Sequence, residues 1–439
     1  MGLRHPERGG GGARRGPARG RLAAPARPRL ALEPELIPIL RPGLLRLPDL
    51  RYLGVGTLLN SVGMMGEVVV LGWLALELTD SPFLVGAAMG ARALPLFFVG
   101  VPAGVIADRL PRRRLLIATG AGQALTTALM GGLVLAGAVS LAHLVLLTFV
   151  CGILRGLEHA ARQSYAHDVV GAARLVSGLA ILGVAMRAGW LLGSLGTGAI
   201  IARYGSGAAY LFVAAAYLAG SLAMLPARAV APVARSGDDS MWRGITDFVA
   251  AVNRDRMLLV LMMLTAGAEV LGFAHQAVLP SLARDVLHTG PEGLGVLNAA
   301  RSVGGILALL ASLRGLTAGG GALFVVVLVS FGGSLVALGM APYVVGFAGV
   351  ALLVLLANAA GALADLLAQS LLQLRVPAHL RGRAGGAWVV AIGLAPLGQL
   401  QIGALASLFG VGAALGASGL GLVALAGATA LLYPRLRAL

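Results

Sequence analysis

From about residue 53 onward the chain is a succession of apolar stretches separated by short polar breaks. Each is long enough for the roughly 20 residues a helix needs to cross a bilayer. The pattern predicts helices over 53–79, 82–107, 115–139, 141–163, 174–202, 207–226, 256–282, 292–313, 320–340, 343–372, 384–409 and 411–433. The expected fold class is therefore an all-α membrane protein of twelve transmembrane helices. Residues 1–50 carry neither an apolar run nor a helical period and are rich in Arg, Pro and Gly. Such a segment buries too little surface to order itself, so a disordered cytoplasmic tail is expected. It lacks the apolar core of a signal peptide. Pro6 stands where a myristoylation motif has Ser or Thr. A start codon further along is the alternative reading for part of this tail. The polar stretch 227–255 reads as a cytoplasmic linker between a six-helix bundle over 51–226 and a second over 256–439.

Composition agrees with the pattern. Hydrophobic residues make up 58% of the chain and charged residues 12%, about half the share usual in soluble domains. Lys is absent, so the 34 basic residues are all Arg. A formal charge of +16 would point to nucleic acid in a soluble protein. Here topology accounts for it. With the N-terminus placed in the cytoplasm, every Arg except Arg92, Arg187, Arg203, Arg284 and Arg301 falls in the tail, the cytoplasmic loops or the helix ends beside them. That is the asymmetry of the positive-inside rule, and it puts both termini in the cytoplasm. The lone Cys151 excludes an intramolecular disulfide and a Cys-based zinc site. The Gly-rich runs Gly9–Gly12 and Gly319–Gly321 lack the Lys-Ser/Thr of a phosphate loop. No enzyme, cofactor, metal site or ATPase domain is expected.

The two bundles are related in sequence. A shift of 209 carries Gly63, Pro82, Gly86 and Arg92 onto Gly272, Pro291, Gly295 and Arg301. A shift of 206 carries Gln163-Ser164 onto Gln369-Ser370, and one of 205 carries Gly193, Gly198 and Gly205 onto Gly398, Gly403 and Gly410. A drifting offset is what small loop insertions leave between duplicated halves. Pairs such as Gly189-x-x-x-Gly193 are read as sites of close helix packing in lipid.

The loop Gly104-Val105-Ile106-Ala107-Asp108-Arg109-Leu110-Pro111-Arg112-Arg113 resembles the signature of the major facilitator superfamily, with Pro111 in place of a Gly. Ser61-x-Gly63, Trp73, Leu78-Thr79-x-Ser81-Pro82, Ala161-Arg162-Gln163, Leu279-Pro280, Arg381-Gly382-Arg383 and Pro396-Leu397-Gly398 are similar to the branch holding enterobactin exporters and related bacterial efflux proteins. The resemblance implies a bacterial inner-membrane transporter in which two six-helix halves rock about a midplane site. Proton antiport would drive export of an amphiphilic or anionic small molecule such as a siderophore, drug or secondary metabolite, with the protein acting as a monomer. An importer or uniporter of the same fold is one alternative. A non-transporting membrane sensor or assembly partner is another. The resemblance also implies a latch role for Asp108 with Gly104, Arg109, Arg112 and Arg113, gating the outward-open state.

Charged groups at bilayer depth cost about 2.5–3.5 kcal/mol each on insertion scales, so each is a functional candidate. Glu67, Arg92, Arg187, Glu269 and Arg301 lie well inside predicted spans one, two, five, seven and eight. They are expected to form one polar central cavity. Glu67 or Glu269 would carry the proton, and the repeat-related Arg92 and Arg301 would hold a carboxylate, catecholate or phosphate. The competing reading is inter-helix ion pairing that moves no proton. Arg155 and Glu158, with Asp365 at nearly the repeat position of Glu158, form a possible cytoplasmic gate. His275 reads as a hydrogen-bonded packing residue.

Overall fold

The computed structural model describes residue 2 and residues 44–171, 174–228, 255–313, 320–375 and 393–438. Residues 37–439 make one compact unit. Every regular element among the described residues is helical. In chain order these are α1 (Pro48–Thr79), α2 (Pro82–Arg109), α3 (Arg112–Leu135), α4 (Leu141–Val170), α5 (Leu175–Ala223), α6 (Arg256–Gly267), α7 (Gly290–Leu313), α8 (Gly320–Met340), α9 (Gly346–Arg375), α10 (Ala395–Phe409) and α11 (Val411–Leu432). Among the described residues nine helical segments are long and apolar enough to cross a membrane.

Helix α1 begins five residues ahead of the hydropathy pattern. Pro48 occupies its first turn, where a missing N–H goes unneeded and φ is preset for a helix. Leu44, Leu50 and Leu53 are buried in one cluster with Tyr165, Val170 and Met224. Asp49 accepts from the Arg228 N–H at 2.8 Å, and the Tyr165 hydroxyl donates to the Arg228 carbonyl at 2.9 Å. These bonds tie the start of the predicted linker to the first bundle. The tail before residue 44 and most of the linker lie outside the described residues, Gly2 apart.

Predicted spans five and six form the single segment α5, broken at Gly205, whose φ of 81° and ψ of 173° are not helical. Neighbours along α1 show that the chain reverses there. A Cβ on Gly189 would strike Leu58, one on Gly193 would strike Val62, and Gly66 faces Thr197, so this arm runs parallel to α1. Beyond the break, Val213, Tyr217 and Gly220 meet Gly66, Gly63 and Gly56, which is antiparallel. Gly410, at φ 86° and ψ 161°, makes the same reversal between α10 and α11. The repeat match of Gly205 with Gly410 is thus a match of backbone conformation at positive φ, where glycine carries no Cβ penalty.

At the end of the molecule that carries Asp80, the two halves close on one another crosswise. A Cβ on Gly198 of α5 would come within 2.9 Å of the Gly295 Cα of α7. One on Gly403 of α10 would come within 2.8 Å of the Pro82 carbonyl and 3.4 Å of the Gly86 Cα of α2. Gly198 and Gly403 are repeat partners, as are Gly86 and Gly295, so one contact is the symmetry copy of the other. Backbones approach this closely only over small residues. Arg284 adds an ion pair to Asp80 at 2.9 Å and a bond to the Leu76 carbonyl at 3.2 Å. The Phe83 N–H donates to the Ser407 hydroxyl at 2.9 Å.

The predicted seventh span departs most from regular helix. After Gly267, α6 runs through a π turn at Ala268–Gly272, a 3-10 stretch at Phe273–Val278, one turn at Leu279–Ser281 and a second π turn at Leu282–Val286. Irregular backbone at membrane depth is tolerated where it is buried in protein or lines a cavity. Single π turns often mark functional sites. Glu269 lies in the first of them.

Candidate functional site

The five mid-span charges divide into two groups. In the first, Glu67 on α1 is 1% exposed. Arg155 Nη2 donates to both of its oxygens, at 3.0 and 2.8 Å, and the Tyr217 hydroxyl donates to Oε2 at 2.9 Å. Arg92 Nε stands 3.7 Å from Oε1, with Nη2 bonded to the Met64 carbonyl at 3.3 Å. One carboxylate thus holds two guanidiniums and a phenol inside the N-terminal bundle. The shared carboxylate offsets part of the cost of burying the two guanidiniums, which still leave the cluster with one excess positive charge. Arg155, taken from sequence as part of a cytoplasmic gate, belongs here.

The second group lines a cavity of about 260 Å³ between the halves. Arg187 and Trp190 come from α5 and Met65 from α1. Glu269, Phe273 and Gln276 come from the irregular stretch after α6, Arg301, Ser302 and Gly305 from α7, and Asn358, Ala362 and Asp365 from α9. Neither Glu67 nor Arg92 lines it. Arg301 makes no ion pair among the described residues. Its Nε donates to Asn358 Oδ1 at 3.3 Å, Nη1 to Asn298 Oδ1 at 2.8 Å and Nη2 to Gln276 Oε1 at 2.9 Å. The orientation of Asn358 follows from its partners. Its Nδ2 donates to the Val354 carbonyl at 2.9 Å, which can only accept. The same nitrogen stands 3.1 Å from Nε2 of His275, whose Nδ1 stands 2.8 Å from the Gly272 carbonyl. His275 therefore carries its proton on Nδ1 and accepts on Nε2, which turns Oδ1 of Asn358 to the arginine. Expected as a packing residue, His275 also sets this amide.

Repeat symmetry sharpens the contrast. The shift of 209 that relates Arg92 to Arg301 also relates Glu67 to Gln276. The same inter-helix contact is an ion pair in the first half and a hydrogen bond to a neutral amide in the second. The shift of 206 relates Arg155 to Gly361, so the second guanidinium of the first cluster is absent from the second half.

The remaining candidates are dispersed. Glu158 pairs with Arg162 one turn on, at 3.2 Å, and lines a small pocket with Asn60 and Ser221. Asp365 lies in the cavity and accepts from Gln369 at 3.2 Å. Arg155, Glu158 and Asp365 are not brought together. Helix α2 reaches Arg109, while the side chains of Gly104, Asp108 and Arg109 lie outside the described residues. Arg112 pairs with Asp168 of α4. Arg113 donates to the carbonyls of Met224 and Leu225 at the end of α5, where a cation is favoured by orphan acceptors and the helix dipole.

Reading the sequence for charges alone missed Tyr217, Trp190, Gln276, Asn298 and Asn358. The signal for the three amides was present, because a polar side chain inside an apolar span needs a partner there. His, Cys, Asp and Glu form no cluster fit for a metal among the described residues.

Residues 43–439 match the family described as transmembrane secretion effector. The chain belongs to that family. It is a transporter of the major facilitator type, an integral protein of several membrane-spanning helices, and not an enzyme. A curated relative, the staphyloferrin A transporter of Staphylococcus aureus, is 24% identical over 254 residues. That match covers 57% of this chain and 62% of the relative, so the chain spans less than two thirds of the curated relative it matches. Among solved structures, a variant of the nucleoside transporter NupG aligns with a TM-score of 0.74 at 12% identity, over 88% of this chain and 99% of that one. The peptide transporter POT in complex with sulfate aligns at 0.70 and 13%, over 89% and 95%. A bacterial homologue of the lysosomal transporter Spinster aligns at 0.63 and 15%, over 91% and 96%. At such identities these likenesses show the fold.

Proposed function

We propose that this transporter is a twelve-span, proton-coupled exporter of the bacterial inner membrane. Both termini are cytoplasmic, and the cargo is an anionic or amphiphilic small molecule such as a siderophore or secondary metabolite. The observation that carries the reading is Arg301, a full positive charge beside the cavity, held by three neutral amides. A group so placed is oriented but not neutralised, which leaves its charge for a ligand. Glu269 lies in the same cavity with no ion pair among the described residues and takes the role of proton carrier. The anion and the proton occupy the cavity on opposite strokes of the rocking cycle, and each biases the inward–outward equilibrium by its differential affinity for the two states. The family's description as a secretion effector supports the outward direction, and the relative named for staphyloferrin A supports a siderophore-like cargo. The glycine contacts and the Arg284–Asp80 pair then close the extracellular end.

Everted membrane vesicles with a respiratory pH gradient test this reading. Anionic siderophores and amphiphilic drugs are added in turn while a gradient-sensitive dye is followed. We expect substrate-dependent loss of the gradient that disappears in Glu269→Gln and persists in empty-vector controls only at background. Cargo that enters the vesicles without drawing on the gradient would replace proton-coupled export with uniport.

A further inference from the structure

Resting on the reading of the central cavity as the cargo site, we infer that its ligand carries two anionic groups, one held by Arg301 and the other by Arg187, so that one molecule bridges the two halves. Three of the five Arg301 N–H groups are committed to amide oxygens, which leaves one on each terminal nitrogen. Arg187 belongs to the first half and makes no hydrogen bond or ion pair among the described residues. Its guanidinium stacks on Trp190, 5.6 Å from the ring centroid. It also reaches across to α7 of the second half, where a Cβ on Gly305 would overlap it. Glycine at 305 is therefore the condition for this guanidinium to rest against the α7 backbone.

The two cations are spaced by that helix. Arg301 turns back to Asn298, while Arg187 sits at Gly305, seven residues further along α7. That is roughly 10 Å at about 1.5 Å per residue. With charge-assisted bonds of about 2.8 Å at each end, about 4–5 Å remains between the facing oxygens of the ligand. A short dicarboxylate or tricarboxylate spans this distance. A monoanion engages one guanidinium and leaves the other stacked on Trp190 with Asp365 as a counter-charge in the same cavity. The second anionic group of a dianion takes over from Asp365 and draws the halves together over the cargo.

The test uses the full-length chain in lipid nanodiscs, with thermal midpoints measured against succinate, citrate and acetate. Succinate and citrate are expected to stabilise the protein with apparent affinities at least tenfold tighter than acetate. Arg187→Gln should bring the polyacids to the level of acetate. Gly305→Ala should do the same, because the added methyl meets only the flexible end of Arg187. A wild-type protein that gains nothing from either polyacid, or that binds acetate equally well, overturns the clamp. So does an Arg187→Gln protein that keeps the preference. The proposed function fails separately. If vesicles carry an amphiphilic monoanion in a Glu269-dependent way while the polyacids bind no better than acetate, export stands and the clamp falls.

Discussion

Glu67 with Arg92 in the first half and Gln276 with Arg301 in the second occupy the same place in a duplicated fold, yet they behave oppositely. The first arginine shares a carboxylate with Arg155 and Tyr217 inside its bundle. The second rests on amides beside the cavity. An acid-to-amide difference, with Gly361 in the place of Arg155, separates a closed ion cluster from an open cationic site. The backbone differs with it, since α1 is continuous helix through Glu67 while the chain after α6 unwinds through Glu269 and Gln276. The continuous helix around Glu67 suits a frame, and the irregular stretch through Glu269 and Gln276 suits a recognition surface that Arg187 and Trp190 of the first half complete.

The largest effect that can break this comparison is expected from Glu67→Gln. It leaves Arg92 and Arg155 buried without their shared carboxylate, and removing one partner of a buried pair costs about 3–5 kcal/mol. The thermal midpoint in detergent should fall sharply, and removing Arg155 together with Glu67 should recover part of the loss. Next comes Arg301→Gln, for which we expect about a 100-fold loss of anion affinity, or about 2.8 kcal/mol at the 1.4 kcal/mol per tenfold of any equilibrium constant. Its thermal stability without ligand should stay close to wild type, because neutral amides lose less than a carboxylate does. Gln276→Glu should rebuild the first-half pair in the second half and lower anion affinity about tenfold. Asp80→Asn is expected to move stability least, by about 0–1 kcal/mol, because an ion pair this exposed is weak in water. Its measurable effect should be faster loss of closure at that end in a cysteine-accessibility experiment.

Much of the frame was legible from residues alone. Apolar run lengths located the helices, and the matched glycines proved to be structural partners, with Gly205 and Gly410 making equivalent reversals and Gly86 and Gly295 packing crosswise on Gly403 and Gly198. Glycine leaves a clear trace because its role is set by backbone geometry, which duplication preserves. The partition of the charges was not legible. Glu67 and Arg155 are 88 residues apart, and only tertiary packing decides whether a mid-span carboxylate meets another helix of its own bundle or the space between bundles. The amides around Arg301 carry no charge, so the pattern of mid-span charges does not mark them. At this depth a neutral amide also requires a partner, and here it positions the charge. The unwinding after α6 had no local mark, since Phe273 to Val278 are residues that α-helices ordinarily accept.

The central claim is that Arg301 acts because no carboxylate among the described residues pairs with it. Citrate binding by the Gln276→Glu protein, set beside wild type and Gln276→Asn, tests that claim most directly. Affinity reduced about tenfold in Gln276→Glu and little changed in Gln276→Asn is the predicted result. Wild-type affinity in Gln276→Glu would contradict it, because a carboxylate in place of the amide would then leave the cation as available as before.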